Sequence, residues 1–291
     1  MTTVSVWKEA AAVILVSRQS KRILMLRRGS AASFMPNSLV FPGGVVSKAD
    51  AKSAKLDDRI KICALRELFE EAGLFINSNG KIESANNNEE LSRLQDIVKK
   101  DPAEFGKLNK SIGGDDFVVW NRWLTPNDSR HPKRFLATFF LLVIDGQPDV
   151  RLCDKEMSGF EWVDARSCLQ SAFHGEISLP PPQLYELTRI SQLPVGILSQ
   201  MGNSQRVICP QTIVWSDNSH ISNILPGDHL YIDGEQCADI QGRTMELASV
   251  KVREDLPTHR IQYRRDPLYS HYSIYQHRLQ PPYDSLFQRI L

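Results

Sequence analysis

The sequence predicts an α/β fold, and three observations carry that expectation. Two apolar runs, Ala11–Ser17 and Arg134–Ile144, have the length and texture of buried strands. Between them Ile62, Leu65, Phe69 and Ala72 recur at steps of 3, 4 and 3, which is one apolar stripe along a helix. Beyond about Val195 short β-like runs alternate with turns.

Composition narrows the function classes. The 291 residues are 42% hydrophobic and 24% charged, enough to bury a core and too apolar for a disordered chain. Lys plus Arg number 35 against 34 Asp plus Glu, so bulk charge does not recruit nucleic acid. No apolar run reaches the roughly 18 residues of a membrane helix, and no basic-plus-apolar leader opens the chain. Cys63, Cys153, Cys168, Cys209 and Cys237 are scattered without a C-x-x-C, which argues for a reducing compartment and against a disulfide framework.

Taken in order, Arg22–Leu26 reads as a strand neighbouring the first across the polar turn Arg18–Lys21. A loop holding Gly29, Pro36 and Asn37 leads to a short strand, Ser38–Phe41, which runs into Pro42-Gly43-Gly44. Residues 45–57 look irregular. The striped helix spans about Asp58 to Ala72, and Gly73 sits where a left-handed stop is wanted. Residues 77–90 read as a surface loop, and Leu91–Lys100 and Pro102–Asn109 as short helices. Trp120, Trp123 and Leu124 lead to a turn at Thr125-Pro126 before Arg134–Ile144. Glu161–Val163 is a strand candidate, Asp164 a fair N-cap for a helix from Ala165, and Gln183–Ser191 a further helix after the break at Pro180–Pro182. Val207–Cys209, Thr212–Trp215, His229–Ile232 and Leu247–Val252 are expected as strands.

The segment that carries chemistry is Arg66-Glu67-Leu68-Phe69-Glu70-Glu71. On a helix its three glutamates fall within about 100° of one another, opposite the apolar stripe. Like charges there repel by a few tenths of a kcal/mol per pair, and a hard divalent cation reverses that penalty. A solvated acidic face is the ordinary explanation of such a helix. The upstream Phe41-Pro42-Gly43-Gly44 points further, because a glycine pair lets backbone approach a ligand closely.

Together these pieces resemble the Nudix box, G-x5-E-x7-R-E-U-x-E-E-x-G-U with U aliphatic. Gly44 matches its first glycine, and Arg66, Glu67, Leu68, Glu70, Glu71, Gly73 and Leu74 match its second half. Gly44 and Arg66 enclose 21 residues where the box has 13, and counting back from Arg66 puts the first acid on Asp58, an imperfect match. An interrupted box is similar to that of the acyl-coenzyme A diphosphatase branch, the animal Nudix hydrolase 19-like proteins. Leu26-Arg27-Arg28, Ser33-Phe34-Met35-Pro36, Asp101-Pro102 with Phe105, Trp123-Leu124-Thr125-Pro126, Arg134-Phe135 and Leu225-Pro226-Gly227-Asp228 follow the order seen in that branch, so the resemblance spans nearly the whole chain.

The resemblance implies a Nudix α/β/α sandwich with a mixed sheet in residues 1–195, a helical insertion at about 80–118, and a mostly β extension, 196–291, packed on the core. It implies cleavage of coenzyme A or acyl-coenzyme A to 3′,5′-ADP and 4′-phosphopantetheine or its acyl form, with Mg²⁺ or Mn²⁺ as cofactor and a small molecule as partner. Glu67, Glu70 and Glu71 would be metal ligands, one of them also assisting deprotonation of water. Arg66 would orient a ligand carboxylate through its fork. Glu156, in the loop before Glu161–Val163, is the candidate for a further acid. Arg27 and Arg28 are candidates for substrate phosphates, with Lys133 and Arg134 weaker ones, and Gly43 and Gly44 would place backbone beside the metal. Trp120 and Trp123 would stack on adenine or, more commonly for tryptophan, fill core. Two alternatives stay open: a diphosphatase for another nucleotide derivative such as ADP-ribose or a nucleotide sugar, and a Nudix-fold module that binds without turnover. The terminal Arg289-Ile290-Leu291 departs from a Ser-Lys-Leu peroxisomal signal, leaving peroxisome, mitochondrion and cytosol open.

Overall fold

The computed structural model describes residues 7–32, 35–51, 56–77, 80–108, 117–128, 133–201 and 207–279, the side chains of 51 and 56–58 excepted. The chain opens with strands β1 (Lys8–Ser17), β2 (Ile23–Arg28), β3 (Leu39–Val40) and β4 (Gly43–Val45), then helices α1 (Lys48–Ala51) and α2 (Leu56–Ala72). The hairpin β5 (Leu74–Ile76) and β6 (Ile82–Ser84) precedes α3 (Glu89–Val98) and α4 (Phe105–Leu108). Next come β7 (Val118–Leu124), β8 (Phe135–Ile144), β9 (Met157–Val163), α5 (Ala165–Phe173), α6 (Pro181–Gln192) and β10 (Val207–Ile208). The last part holds β11 (Gln211–Trp215), β12 (His220–Ile224), β13 (Arg243–Met245), α7 (Leu247–Val250), β14 (Thr258–Arg264) and β15 (Ser270–His277).

Eight strands form the central sheet in the order β10-β7-β8-β1-β2-β3, with β4 added to β1 and β9 to β2. It is mixed: β1 runs parallel to β8 from Lys8↔Phe135 to Ser17↔Ile144, and antiparallel to β2 and β4. Its position follows from the residue pattern. Strand β1 is apolar on both faces, as a central strand must be. Val13 and Leu15, with Leu24 and Leu26 of β2, meet the α2 stripe of Ile62, Leu65 and Phe69. Ile14, Val16, Ile23 and Met25 point the other way, towards Cys168 and Ala172 of α5 and Leu184 and Leu187 of α6. Helices on both faces of one mixed sheet make the α/β/α sandwich. A second sheet, β13-β11-β12-β14-β15, packs on the α6 side through Ile221, Leu225, Ile261 and Tyr263. There Tyr185 Oη lies 3.0 Å from His259 Nε2, and the Tyr272 hydroxyl donates to the Leu179 carbonyl.

Several expectations need correction. Trp120 to Leu124 is strand, not a lead-in to a turn. A bulge between Val119 and Asn121 puts Trp120 and Trp123 in the same core cluster and hides the alternation. Both indoles are buried and donate to the Glu186 carboxylate, at 2.7 and 2.8 Å, so they are not free to stack on a ligand. Asn121 Nδ2 and Arg189 Nη1 add two more bonds to that carboxylate, at 2.8 and 3.0 Å. Arg134 is buried and donates to the carbonyls of Thr125 and Ala238, which withdraws it from phosphate binding. His229–Ile232 is a loop held by Asp228, which accepts from the Leu230 amide at 2.9 Å. Leu247–Val250 is a helical turn, and the 77–90 stretch contains β6. Among the described residues no helix is long and apolar enough to cross a membrane.

Candidate active site

The site grows from a close approach of β4 to β1. Ala10, Ala11 and Ala12 face Val45, Gly44 and Gly43 in register. A Cβ on Gly43 would lie 2.4 Å from the Ala11 carbonyl oxygen and 2.6 Å from Ala12 Cα, so only glycine fits. That proximity carries the Gly43 amide to 2.8 Å from Glu71 Oε2. Gly44 is equally tight against α2: a Cβ there would lie 2.4 Å from Glu67 Oε1.

Glu67, Glu70 and Glu71 therefore do not lie on an exposed face, as helical geometry alone suggests. Glu71 is 3% exposed, and the Glu67 and Glu70 side chains are 14% and 17% exposed. The stripe is covered by the sheet and the acid side by β4. Burial raises all three carboxyls. Glu67 is pushed up to about 7 by burial, with Arg66 opposing and Glu70 adding repulsion. Burial raises Glu70 against the pull of Arg66. Burial and the neighbouring Glu67 raise Glu71 well above the carboxylate range, while the Gly43 amide pulls it down.

Arg66 is 2% exposed and ties the cluster together. Its Nε and Nη2 form a fork on Asp50, at 2.8 and 2.9 Å. Its Nη1 lies 2.8 Å from Glu67 Oε1 and 2.9 Å from Glu70 Oε1. Burial works against this charge, and the Asp50 bond together with the surrounding negative charges, Glu67 foremost, more than offsets it, so the guanidinium is held above its ordinary value. Asp50 is itself fixed: its Oδ2 accepts from the Ser47 amide at 2.7 Å, and its amide donates to Ser47 Oγ at 3.2 Å.

Asp50, the acid that holds Arg66, is the residue that counting back from Arg66 misses. The signal was present, because Asp50 is the sixth residue after Gly44, the G-x5-acid spacing of the box with Asp for Glu. The eight extra residues then lie between Asp50 and Arg66. The side chain of Asp58 is outside the described residues.

The turn before β9 brings in Glu156. It is exposed, its carbonyl accepts from the Gly29 amide at 2.9 Å, and its charge adds to the repulsion felt by Glu67, Glu70 and Glu71. The two arginines of β2 part company. The charge of Arg28 acts on Glu71, and its Nε is buried without a hydrogen-bond partner among the described residues. The charge of Arg27 acts on Cys168 of α5, across the sheet. Lys133 is exposed.

Residues 56–190 match a family model described as the NUDT19 Nudix domain. A Caenorhabditis elegans protein named "Putative nudix hydrolase 7" is 42% identical over 278 residues, covering 95% of this chain and 92% of that protein. The chain belongs to the Nudix hydrolase family. An acyl-coenzyme A diphosphatase NUDT19 of Xenopus laevis is 26% identical over 311 residues, covering 79% of this chain and 82% of that one. The crystal structure of a Nudix hydrolase from Alicyclobacillus acidocaldarius superposes with a TM-score of 0.55 at 23% identity, over 68% of this chain and 97% of that one, and shows the shared fold.

Nudix hydrolases generally use divalent metals. Among the described residues of this Nudix hydrolase no three acidic, histidine or cysteine side chains already converge as a cage. Asp50, Glu67 and Glu70 are gathered instead around the Arg66 cation, and Glu71 accepts from the Gly43 amide. The donor set nevertheless suits a hard divalent ion: all oxygen, mutually repelling, and each raised from its ordinary value first by burial, a cost that a bound cation would offset. The missing Cβ of Gly44 leaves the space in which the Glu67 carboxylate sits.

Proposed function

We propose that this Nudix hydrolase cleaves the diphosphate of coenzyme A or acyl-coenzyme A, with Mg²⁺ or Mn²⁺, to 3′,5′-ADP and 4′-phosphopantetheine or its acyl form. The observation that carries the reading is the buried group of Glu67, Glu70 and Glu71 packed under Gly43 and Gly44, with the charge of Arg28 acting on it. The substrate class is supported by the similarity to the Xenopus laevis protein and by the interrupted box.

In this reading Glu67, Glu70, Glu71 and Glu156 would hold the cation, which would supply charge neutralisation for the diphosphate and an activated water. Arg66, anchored on Asp50, orients Glu67 and Glu70. Arg28 lies on the carboxylate side of the sheet, where a phosphate would pair with its guanidinium. Gly43 and Gly44 keep the wall of the site free of side chains.

The test is product analysis by chromatography and mass. The protein is incubated with Mg²⁺ or Mn²⁺ and, in parallel, coenzyme A, an acyl-coenzyme A, 3′-dephospho-coenzyme A and ADP-ribose. The expected outcome is 3′,5′-ADP, with coenzyme A preferred over its dephospho form, and loss of turnover by about 100-fold or more in Glu70→Gln. Preferred cleavage of ADP-ribose would overturn the substrate class, and cleavage of none of the four would overturn catalysis.

A further inference from the structure

The last carbonyls of a helix have no partners within it and must find them elsewhere. In α2 three of them are satisfied by a single neighbouring assembly. The Ala72 carbonyl accepts from the Arg151 amide and the Glu71 carbonyl from the Cys153 amide, both at 3.0 Å. The Glu70 carbonyl accepts from the side chain of Gln95, at 3.0 Å. The stretch Arg151–Cys153 therefore lies along the end of the helix that carries the three glutamates. Directly after it a tight turn, in which the Cys153 carbonyl accepts from the Glu156 and Met157 amides at 3.2 and 3.0 Å, delivers Glu156.

Gln95 fastens this joint from the insertion. It lies on α3, is 0% exposed, and uses its whole amide group. Nε2 donates to the carbonyls of Glu70 and Arg151, each at 3.0 Å. Oε1 accepts from Arg151 Nη1 at 2.6 Å. Two carbonyls on one side and a guanidinium on the other dictate which end of the amide faces which. The Arg151 guanidinium is held in turn by the Asp96 carboxylate, at 2.9 and 3.1 Å. One side chain thus bonds the glutamate helix, the stretch leading to Glu156 and, through its own backbone, the helical insertion.

We propose that Gln95 is a positioning residue, which sets the Glu156 turn relative to Glu67, Glu70 and Glu71 and so makes the insertion part of the cation site. The inference rests on the reading of those four acids as cation ligands. Glu156 is exposed on a turn, and an exposed carboxylate adds affinity only if its turn is already ordered. Two backbone bonds, at Arg151 and Cys153, remain without Gln95. Removing the amide should therefore loosen the register of the turn without releasing it.

The experiment is a double-mutant cycle on Mn²⁺ affinity, read by the electron paramagnetic resonance of free Mn²⁺, in the full chain. The four proteins are wild type, Gln95→Met, Glu156→Gln and the double variant. Methionine keeps the volume of glutamine and removes both polar ends. If Gln95 acts through Glu156, Gln95→Met weakens Mn²⁺ by about tenfold in the wild-type background and adds nothing once Glu156 is gone. A general loosening of the fold would weaken binding by the same factor in both backgrounds and overturn the proposal. Unchanged Mn²⁺ affinity in Gln95→Met would overturn it as well. Should Gln95→Met not fold, Arg151→Ala, which removes the partner of Oε1 from a part-exposed position, takes its place in the cycle with the same expected pattern. A wild-type protein that binds no Mn²⁺ would sink the metal reading itself, whereas failure of the cycle with normal wild-type binding sinks only the role of Gln95.

Discussion

One methyl group added at Gly44 would sit 2.4 Å from Glu67 Oε1, 2.5 Å from Cδ and 2.7 Å from Oε2. Ordinary contact needs about 3.5 Å or more, so the Glu67 carboxylate must retreat by roughly 1 Å. A glutamate side chain can do this by leaving its rotamer, at about 0.5–1.5 kcal/mol. The fold therefore survives, but Glu67 gives up its 2.8 Å contact with Arg66 Nη1 and its place in the cluster. A misplacement of that size costs about 100-fold in turnover. The same methyl at Gly43 meets main chain, 2.4 Å from the Ala11 oxygen and 2.6 Å from Ala12 Cα. Main chain cannot swing aside, so β4 must part from β1. Overpacking contributes about 1–3 kcal/mol, and loss of the Gly43 amide bond to the Glu71 carboxylate about 1.5–3 kcal/mol more. Their sum, about 2.5–6 kcal/mol, lowers Tm by roughly 5–12 °C at about 2 °C per kcal/mol for a chain of this size. Thermal melts and coenzyme A hydrolysis measured on both variants separate the two effects. Gly44→Ala should melt within about 3 °C of wild type and turn over about 100-fold more slowly, while Gly43→Ala should show the large drop in Tm. Full activity in Gly44→Ala, or a wild-type melt in Gly43→Ala, would refute the packing argument.

Other expectations follow from side chains on either side of the sheet. Arg28→Ala should raise KM for coenzyme A by about tenfold, as loss of a charge-assisted phosphate contact does, and Arg27→Ala by less, because its charge acts near Cys168 and not near Glu71; equal effects would remove the distinction. Glu186→Gln should cost about 3–5 kcal/mol, since an amide cannot accept from all four donors and leaves Arg189 buried without its counter-charge. Denaturant unfolding followed by tryptophan fluorescence checks it, and stability within about 1 kcal/mol of wild type would count against the clamp. His259 is buried with Nδ1 donating to the Pro226 carbonyl at 2.7 Å and Nε2 facing the Tyr185 hydroxyl. Burial holds its pKa below the ordinary 6.5, with Asp228 pulling the other way. The unfolded chain then takes up the proton first, so the contribution of His259 is complete above about pH 6.5 and is lost as pH falls below it, by up to about 1.4 kcal/mol per unit. Between pH 7.5 and 5, His259→Gln should lose less stability on acidification than wild type, and parallel slopes would exclude this role.

What could be read from the sequence was what depends on neighbours along the chain. The stripe of α2, the two-sided apolar run of β1 and the Asp164 cap, whose Oδ1 accepts from the Ser167 amide at 2.9 Å, are all local patterns. Strand β14 was not legible, because its inward side chains include Arg260, which is buried only because Asp228, 32 residues away, takes its fork at 2.7 Å. Nor was Gln95, whose importance lies in carbonyls 25 and 56 residues distant.

Asp50 lies between these cases. The spacing from Gly44 to Asp50 is set by a strand end and the reciprocal Ser47–Asp50 bonds. The spacing from Arg66 to Leu74 is set by the helix and its Gly73 stop, at φ 67°. Neither can absorb an inserted residue without losing its geometry. The connection between them can, since ten of its 15 residues, Leu56 to Leu65, extend α2 at its N-terminal end and leave the register from Arg66 onward unchanged. The acid must then be counted forward from the glycine and not back from the arginine, because Arg66 reaches it through its side chain, over a distance that the length of the loop does not set.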